Sequence, residues 1–221
     1  NQSYFQKSPF ELTIDHANGV RYIRVTKYGE VRLSARIFCA GTDPLSTCHP
    51  VGQHGWLYTQ KLTTLGCEGY FINKKSQAIQ FDAKTFASLD DTCGFFKAET
   101  TWFWLSCNFW WQDQHRVGLN LSQGEQPSTD NSIWLDGVLY AMGEVVFEPL
   151  DEENWHVYSQ DGRLNIRIET HWTRSEKINF RFSGSQFKQW QSKLTGQIKV
   201  NDQVIDLNAE YGIFEQHARK L

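Results

Sequence analysis

Residues 164–169 read Leu-Asn-Ile-Arg-Ile-Glu, in which apolar and polar side chains alternate strictly. Successive side chains of a β-strand point to opposite faces, so this pattern predicts a strand with one buried face. The same alternation occurs at residues 31–38, 117–122 and 178–183. The chain therefore reads as antiparallel β-structure over most of its length.

Turn-forming dipeptides separate the predicted strands. Asn-Gly and Asp-Gly pairs supply the positive φ angles that tight hairpins need. Only residues 86–91 and 186–192 look weakly helical, and both segments are short. The predicted turns are Asn18-Gly19, Tyr28-Gly29, Asp136-Gly137, Asp161-Gly162 and Asn201-Asp202.

The number of strands predicts two β-units in tandem. About fourteen to sixteen short strands fit the pattern, which is more than one barrel of about eight strands uses. The alternation lapses over residues 83–99, where Asp90-Asp91-Thr92-Cys93-Gly94 interrupts it. With no Pro/Ser-rich linker there, we expect the two units to pack directly together.

Composition excludes several classes of partner. The formal net charge of the 221 residues is −3, so no basic field attracts nucleic acid or an anionic membrane. Apolar runs are shorter than the ~18–20 residues that span a bilayer, which predicts a soluble protein with no membrane span. The chain begins at Asn1 and has one methionine, Met142, so we expect upstream sequence to exist.

The cysteines predict a reducing compartment. Their count is odd and no CxxC pair occurs, which argues against a zinc site and a closed disulfide framework. We expect mostly buried thiols and a cytoplasmic location, with a Cys39–Cys48 disulfide as the alternative. The five are Cys39, Cys48, Cys67, Cys93 and Cys107.

Aromatic residues make up 14% of the chain, and residues 101–111 read Thr-Trp-Phe-Trp-Leu-Ser-Cys-Asn-Phe-Trp-Trp. In a strand, Trp102 and Trp104 share one face with a serine and an asparagine, while Phe103 and Leu105 share the other. A face that mixes tryptophan with hydroxyl and amide groups suits a ligand cavity. The alternative is that these tryptophans fill a barrel interior.

The next strand carries Arg116, Gly118 and Asn120 on one face. An inward Asn120 needs hydrogen-bond partners or a ligand, because an unpaired buried amide costs about 1–3 kcal/mol. An outward Asn120 is an ordinary solvated residue. We discount it as a glycosylation acceptor, because it lies in an apolar alternating segment.

Near the C-terminus, Glu215 and His217 fall on the same strand face. A carboxylate beside an imidazole is a minimal acid–base pair, although a surface ion pair is the simpler interpretation. No HExxH, GxSxG, GxGxxG or phosphate-loop motif occurs. The sequence therefore predicts neither a metal nor a cofactor.

Six segments, taken in order, resemble a bacterial family known as a domain of unknown function. That family is similar to the tandem lipocalin-like fold of the carotenoid 1,2-hydratase and hydroxyneurosporene synthase group. The segments include a "yT-K" strand, a "vGlNLgxG" strand and a terminal "GfaEeH", and Cys93 stands where the family pattern has arginine. They are residues 55–61, 69–72, 90–104, 117–124, 130–137 and 212–217.

The resemblance implies an all-β fold of two tandem lipocalin-like antiparallel barrels. The boundaries we expect are 1–95 for the first, which is incomplete if upstream sequence is missing, and 96–221 for the second. The ligand-binding candidates are Trp102, Trp104, Arg116, Asn120 and Asn131.

Three functions remain open from the sequence. The first is a binding module for a hydrophobic small molecule of lipid or isoprenoid type. The second is a hydratase or isomerase, with Asp90, Glu215 and His217 as proton-transfer candidates. The third is an interaction domain with filled barrels. If Trp102, Trp104 and Asn120 converge on a cavity above ~300 Å³ that contains a carboxylate or histidine, the enzyme hypothesis is supported. A cavity without titratable groups favours a carrier, and the absence of a cavity excludes both.

Overall fold

The computed structural model describes residues 2–124, 129–179 and 184–220. In these residues the chain forms seventeen β-strands and no helix, which confirms the all-β, lipocalin-like fold class. The strands are β1 (Gln2–Lys7), β2 (Phe10–Ala17), β3 (Val20–Lys27), β4 (Glu30–Phe38), β5 (Leu45–Val51), β6 (Gly55–Ile72), β7 (Ala78–Phe81), β8 (Phe86–Gly94), β9 (Glu99–Trp111), β10 (His115–Gly124), β11 (Ser132–Leu135), β12 (Val138–Ala141), β13 (Val145–Pro149), β14 (Asn154–Ser159), β15 (Leu164–Asn179), β16 (Gly184–Val200) and β17 (Gln203–Lys220).

Both helical predictions are wrong. Residues 86–91 lie in β8, and residues 186–192 lie in β16 between β15 and β17. Strand pairing on both sides satisfies the backbone of residues 186–192 and outweighs a weak local helical preference. Of the alternation predicted at 178–183, residues 180–183 lie outside the described residues.

Hairpin turns occur where the glycine dipeptides predicted them. Asn18 and Gly19 have φ of 53° and 74°, and Asp136 and Gly137 have φ of 53° and 89°. Positive φ at both central residues matches the right-handed twist of the flanking strands. These turns hold β2 against β3 and β11 against β12 in antiparallel register.

The chain divides into two compact units that interleave along the sequence. Unit one contains Asn1–Thr42 and Leu62–Leu89, and unit two contains Asp43–Lys61 and Asp90–Leu221. The dividing points fall inside β6 and β8, so each of these strands contributes to both units. The boundary at 95/96 stays a prediction.

Unit one is an antiparallel sheet in the order β1-β2-β3-β4-β6, where β6 contributes its second part and also pairs with β7. Its buried cluster is small, and its first strand is exposed along its whole length. The cluster consists of Ile37, Leu62, Leu65, Cys67 and Leu89.

Unit two contains a nine-stranded antiparallel sheet in the order β12-β11-β10-β9-β17-β16-β15-β14-β13, counted over the described residues. The last strand in this order, β13, comes back beside β10, where the Phe147 backbone amide donates to Gln123 Oε1 at 2.8 Å. This return curves the sheet into a barrel. Trp134 Nε1 donates to the Asp43 carbonyl at 2.8 Å, which ties the segment before β5 to the same unit.

The barrel interior is filled by one face of each strand. Leu105, Cys107 and Phe109 of β9 and Leu119 of β10 are buried there, and Phe214 lies at the centre of an aromatic cluster. The predicted two-faced character of β9 is confirmed. The Trp102 and Trp104 side chains lie on the opposite, outer face of the barrel and do not fill its core.

The cysteines depart from one expectation. All five are free thiols, but only Cys67 and Cys107 are buried, while Cys48 and Cys93 are exposed. Burial raises the pKa of the Cys107 thiol, so it stays protonated. No helix among the described residues has the length and hydropathy needed to cross a membrane.

Candidate functional site

A cavity of about 600 Å³ lies within unit two. One wall is formed by β5, the first part of β6 and the end of β8, and the other by the outer faces of β9, β10 and β17. The first wall contributes Thr47, His49, Leu57, Thr59, Lys61, Asp90 and Thr92. The second contributes Thr100, Trp102, Trp104, Ser122, Gly124 and Glu215.

The connection from β8 to β9 orients the two walls. Gly94 has a φ of +129°, and a Cβ there would lie 2.2 Å from the Trp56 carbonyl oxygen, so only glycine lets β8 run this close to β6. The chain then returns as β9. Asp90 and Trp104 therefore lie at one end of the cavity, and Phe95 and Thr100 toward the other.

The first of these ends carries a buried lysine. The side chain of Lys61 is 11% exposed, and its Nζ lies 3.0 Å from Asp90 Oδ2 and 3.7 Å from Asp130 Oδ2. The same ammonium group lies 5.4 Å from the centroid of the Trp104 ring, within the range of a cation–π contact. We call Lys61, Asp90, Asp130 and Glu215 the charged end of the cavity.

Asn120 connects the tryptophan wall to the charged end. Trp104 Nε1 donates to Asn120 Oδ1 at 2.8 Å, and Asn120 Nδ2 donates to the Asp130 carbonyl at 2.7 Å. Ser122 Oγ donates to Asp130 Oδ1 at 2.8 Å. Because Asn120 is 4% exposed and bonded through both amide atoms, it orients Trp104 and Asp130.

Glu215 lies opposite Trp104 in the pairing of β17 with β9 and lines the cavity. Burial raises the pKa of its carboxyl group and the nearby Asp90 adds to this, while the hydrogen bond from Gln189 and the charge of Lys61 act against them. Gln189 Nε2 donates to Glu215 Oε1 at 2.5 Å. The net effect is a carboxyl group that holds its proton to higher pH than usual.

His217 lies beside Trp102 on the outer face of the sheet, as its register partner, and is not in the cavity lining. Its ring is 4.3 Å from the Trp102 ring in an edge-to-face arrangement, and its Nε2 shares a 2.8 Å hydrogen bond with Ser185 Oγ. Burial, followed by the charge of Arg219, lowers the pKa of His217, so the imidazole is neutral at pH 7. His217 packs against the side of Trp102, and Glu215 has a separate partner in Gln189.

The structure places Asp90, Trp102, Trp104 and Glu215 in the cavity lining and Asn120 against Trp104, whereas His217, Arg116 and Asn131 do not line the cavity. Arg116 pairs with Trp110 at the other end of β10 and donates to the Asp136 carbonyl at 3.3 Å. Asn131 is fully buried, where it accepts from the Ser122 amide and donates to a backbone carbonyl. Ligand contacts by Arg116 and Asn131 stay predictions.

The sequence matches the family described as "Domain of unknown function (DUF2804)" over residues 1–221. The chain belongs to this family. This confirms the resemblance drawn from the ordered segments. No match was found among the curated proteins. Among solved structures, kievitone hydratase from Nectria haematococca is similar at 10% identity and a TM-score of 0.49, over 98% of this chain and 84% of that one.

Sequence reasoning missed three residues of the site in this DUF2804 protein. Lys61 ends the 55–61 segment that carries part of the family resemblance, and it is the one charged residue of that segment, which was the available signal. Asp130 directly precedes the candidate Asn131. Gln189 gave no signal, because its role depends on the pairing of β16 with β17.

Proposed function

We propose that this protein binds a small hydrophobic or aromatic molecule in the unit-two cavity. The observation that supports this is the pair Trp102 and Trp104 beside the charged end of the cavity. A volume of about 600 Å³ falls within the range of small-molecule sites. The tryptophan faces supply apolar contact area, and the charged end orients one polar group of the ligand.

The charge balance favours an uncharged ligand. Lys61 is already paired with Asp90 and Asp130, so its ammonium group needs no ligand anion. A ligand carboxylate would also face Glu215 in addition to the two aspartates, and like charges at short range repel strongly in a partly buried site. A hydroxyl or carbonyl group satisfies the polar atoms there without this cost.

The direct test is to identify what the full chain carries. The purified protein is extracted with organic solvent and the extract analysed by mass spectrometry, with a panel of lipids and aromatic compounds titrated against tryptophan fluorescence. A bound apolar molecule, or saturable quenching, supports the proposal. An empty extract together with unchanged fluorescence across the whole panel contradicts it.

Trp102→Ala is expected to weaken ligand binding by about tenfold or more, because it removes one of the two large apolar surfaces of the cavity. Calorimetric titration of the ligand identified above measures the effect. The matched control is Trp172→Ala, which removes a tryptophan that is 64% exposed and does not line the cavity. Equal losses in both variants would mean that the cavity is not the binding site.

Acid–base catalysis of hydration or isomerisation is a second candidate, favoured by the carboxyl groups at the charged end. Glu215 has a raised pKa, caused first by burial, and Asp90 forms an ion pair with Lys61 in the same cavity. A carboxyl group that holds its proton to higher pH than usual is suited to act as a general acid. Trp104 lies beside both and would stabilise positive charge on a substrate.

Glu215→Gln is expected to abolish this chemistry and to stabilise the fold at pH 7. Because the pKa of Glu215 is higher in the folded protein than in the unfolded chain, ionisation of this carboxyl group destabilises the folded state as the pH rises through the folded-state pKa. Below the ordinary value of 4.5 the group is protonated in both states and this destabilisation vanishes. The free energy of unfolding should therefore increase at pH 7 and not at pH 3. Deuterium incorporation into the bound molecule in D₂O measures the chemistry.

The control for this variant is Glu169→Gln, which neutralises an exposed carboxylate on β15. It should change neither the deuterium incorporation nor the pH dependence of stability. Full incorporation by Glu215→Gln would remove that residue from the mechanism and leave the binding proposal intact.

A further inference from the structure

We propose that a second cavity of unit two binds a small oxyanion, either a phosphate or a carboxylate. This cavity has a volume of about 230 Å³ and shares no lining residue with the larger cavity described above. It lies where the end of β12, the residue before β15 and the turn from β16 to β17 meet. The lining residues are Leu139, Tyr140, Ala141, Met142, Arg163, Lys199, Val200 and Asn201.

Arg163 is held at this cavity with donors to spare. Its Nη1 donates to the Ala141 carbonyl at 3.2 Å, and its Nε donates to Asp161 Oδ2 at 2.6 Å. A guanidinium group has five N–H donors in a planar fork that matches the oxygens of phosphate and carboxylate groups. The other N–H groups of Arg163 have no partner in the part of the chain that the structure describes. The side chain is 39% exposed, so an anion from solvent reaches these donors.

Lys199 places a second positive charge beside Arg163. The Lys199 amide donates to the Arg163 carbonyl at 2.7 Å, one step beyond the last register pair of β15 and β16, so the two side chains leave the sheet on the same face. Lys199 is exposed, and its ammonium group pairs with no carboxylate among the described residues. Like charges opposite each other on adjacent strands destabilise a sheet. Asp161 pairs with Arg163 alone, so a bound anion would reduce the repulsion that remains.

The two cavities of unit two differ in charge. The larger one is lined by three carboxyl groups, those of Asp90, Asp130 and Glu215, which disfavour an anion. Within residues 2–124, 129–179 and 184–220, no carboxyl group lines the smaller one, which instead has two cations, the phenol of Tyr140 and an amide. The larger cavity therefore suits an uncharged ligand and the smaller one an anion.

The size of the effect follows from the exposure of the two cations. Hydrogen bonds between a charged donor and an oxyanion are stronger than those between neutral groups, but water and salt screen them at an exposed site. Loss of the Lys199 charge should therefore weaken binding about three- to tenfold. The apolar part of the lining leaves room for a short apolar substituent on the anion, and it consists of Leu139, Met142 and Val200.

The probes for the test are inorganic phosphate, phenyl phosphate and benzoate, each titrated calorimetrically into the full chain at constant ionic strength. We expect saturable binding in the millimolar range for at least one of them. Lys199→Gln should weaken that binding about three- to tenfold, and Lys199→Arg should retain it. Binding of the two phosphates without benzoate assigns a phosphate ligand, and the reverse assigns a carboxylate.

Lys193→Gln is the matched control, because Lys193 lies on the same strand, its loss changes the net charge equally and it does not line the cavity. Thermal unfolding verifies that each variant folds. The proposal is overturned if none of the three anions binds saturably, if Lys199→Gln leaves the affinity unchanged, or if Lys193→Gln lowers it equally. None of these results bears on the ligand of the larger cavity, since the two cavities share no residue.

Discussion

Replacing Phe214 by alanine should lower the free energy of unfolding by about 3–5 kcal/mol. The ring is fully buried in the barrel of unit two, with ring centroids of Trp155 and Trp190 each 5.1 Å away and that of Phe147 at 5.8 Å. Truncation removes both the apolar burial and these ring contacts, and several large neighbours cannot all collapse into the space. Urea unfolding followed by far-UV circular dichroism measures the change.

The control for Phe214→Ala is its neighbour on the same strand. Ile213 points to the outer face and is 44% exposed, so Ile213→Ala should cost well under the core value, on the order of 1 kcal/mol or less. Similar losses for the two variants would contradict the assignment of inner and outer faces to β17. Because Phe214 is on the inner face, ligand contacts on the outer face should survive in any Phe214→Ala protein that remains folded.

Lys61→Met should destabilise the protein by about 2–3 kcal/mol at pH 7 and abolish ligand binding. Removing one partner of a buried pair leaves uncompensated charge, which costs about 3–5 kcal/mol when burial is complete. Here the Asp90 and Asp130 side chains are 39% and 20% exposed, so water screens part of the charge and the expected cost is lower. Urea unfolding at several pH values measures it.

The pH dependence separates charge from packing in this variant. Lys61 lowers the pKa of Glu215, so its removal raises that pKa further and leaves three carboxyl groups close together. Protonation relieves their repulsion, and the penalty should shrink as the pH falls toward 4. Adding Asp90→Asn should restore part of the stability at pH 7. A penalty that is equal at pH 4 and pH 7 would assign the effect to packing.

Local patterns predicted the strands and turns well because their causes are local. The alternation at residues 164–169 and the Asn18-Gly19 turn each depend on a few consecutive residues, and both are found as expected. The same period-two rule separated the tryptophan face of β9 from its phenylalanine face. The helical prediction for residues 186–192 failed because strand pairing with both neighbours decides the backbone there, and that pairing is not local.

The candidate site was predictable only in part. Trp102, Trp104, Asp90 and Glu215 were selected from the sequence, and the structure places all four in the cavity lining. Which side of the barrel the tryptophans face was left open between core and cavity. The sheet decides it, because the interior is already filled by the opposite faces of the same strands.

The sequence by itself determined the all-β class, the positions of the main turns and the two faces of the aromatic strand. Only the tertiary structure decided that Lys61, from a strand far away in the chain, lies over Trp104 between Asp90 and Asp130. The reason is physical: a strand's alternation follows from its own backbone, whereas an ion pair between distant strands exists only once packing brings them together.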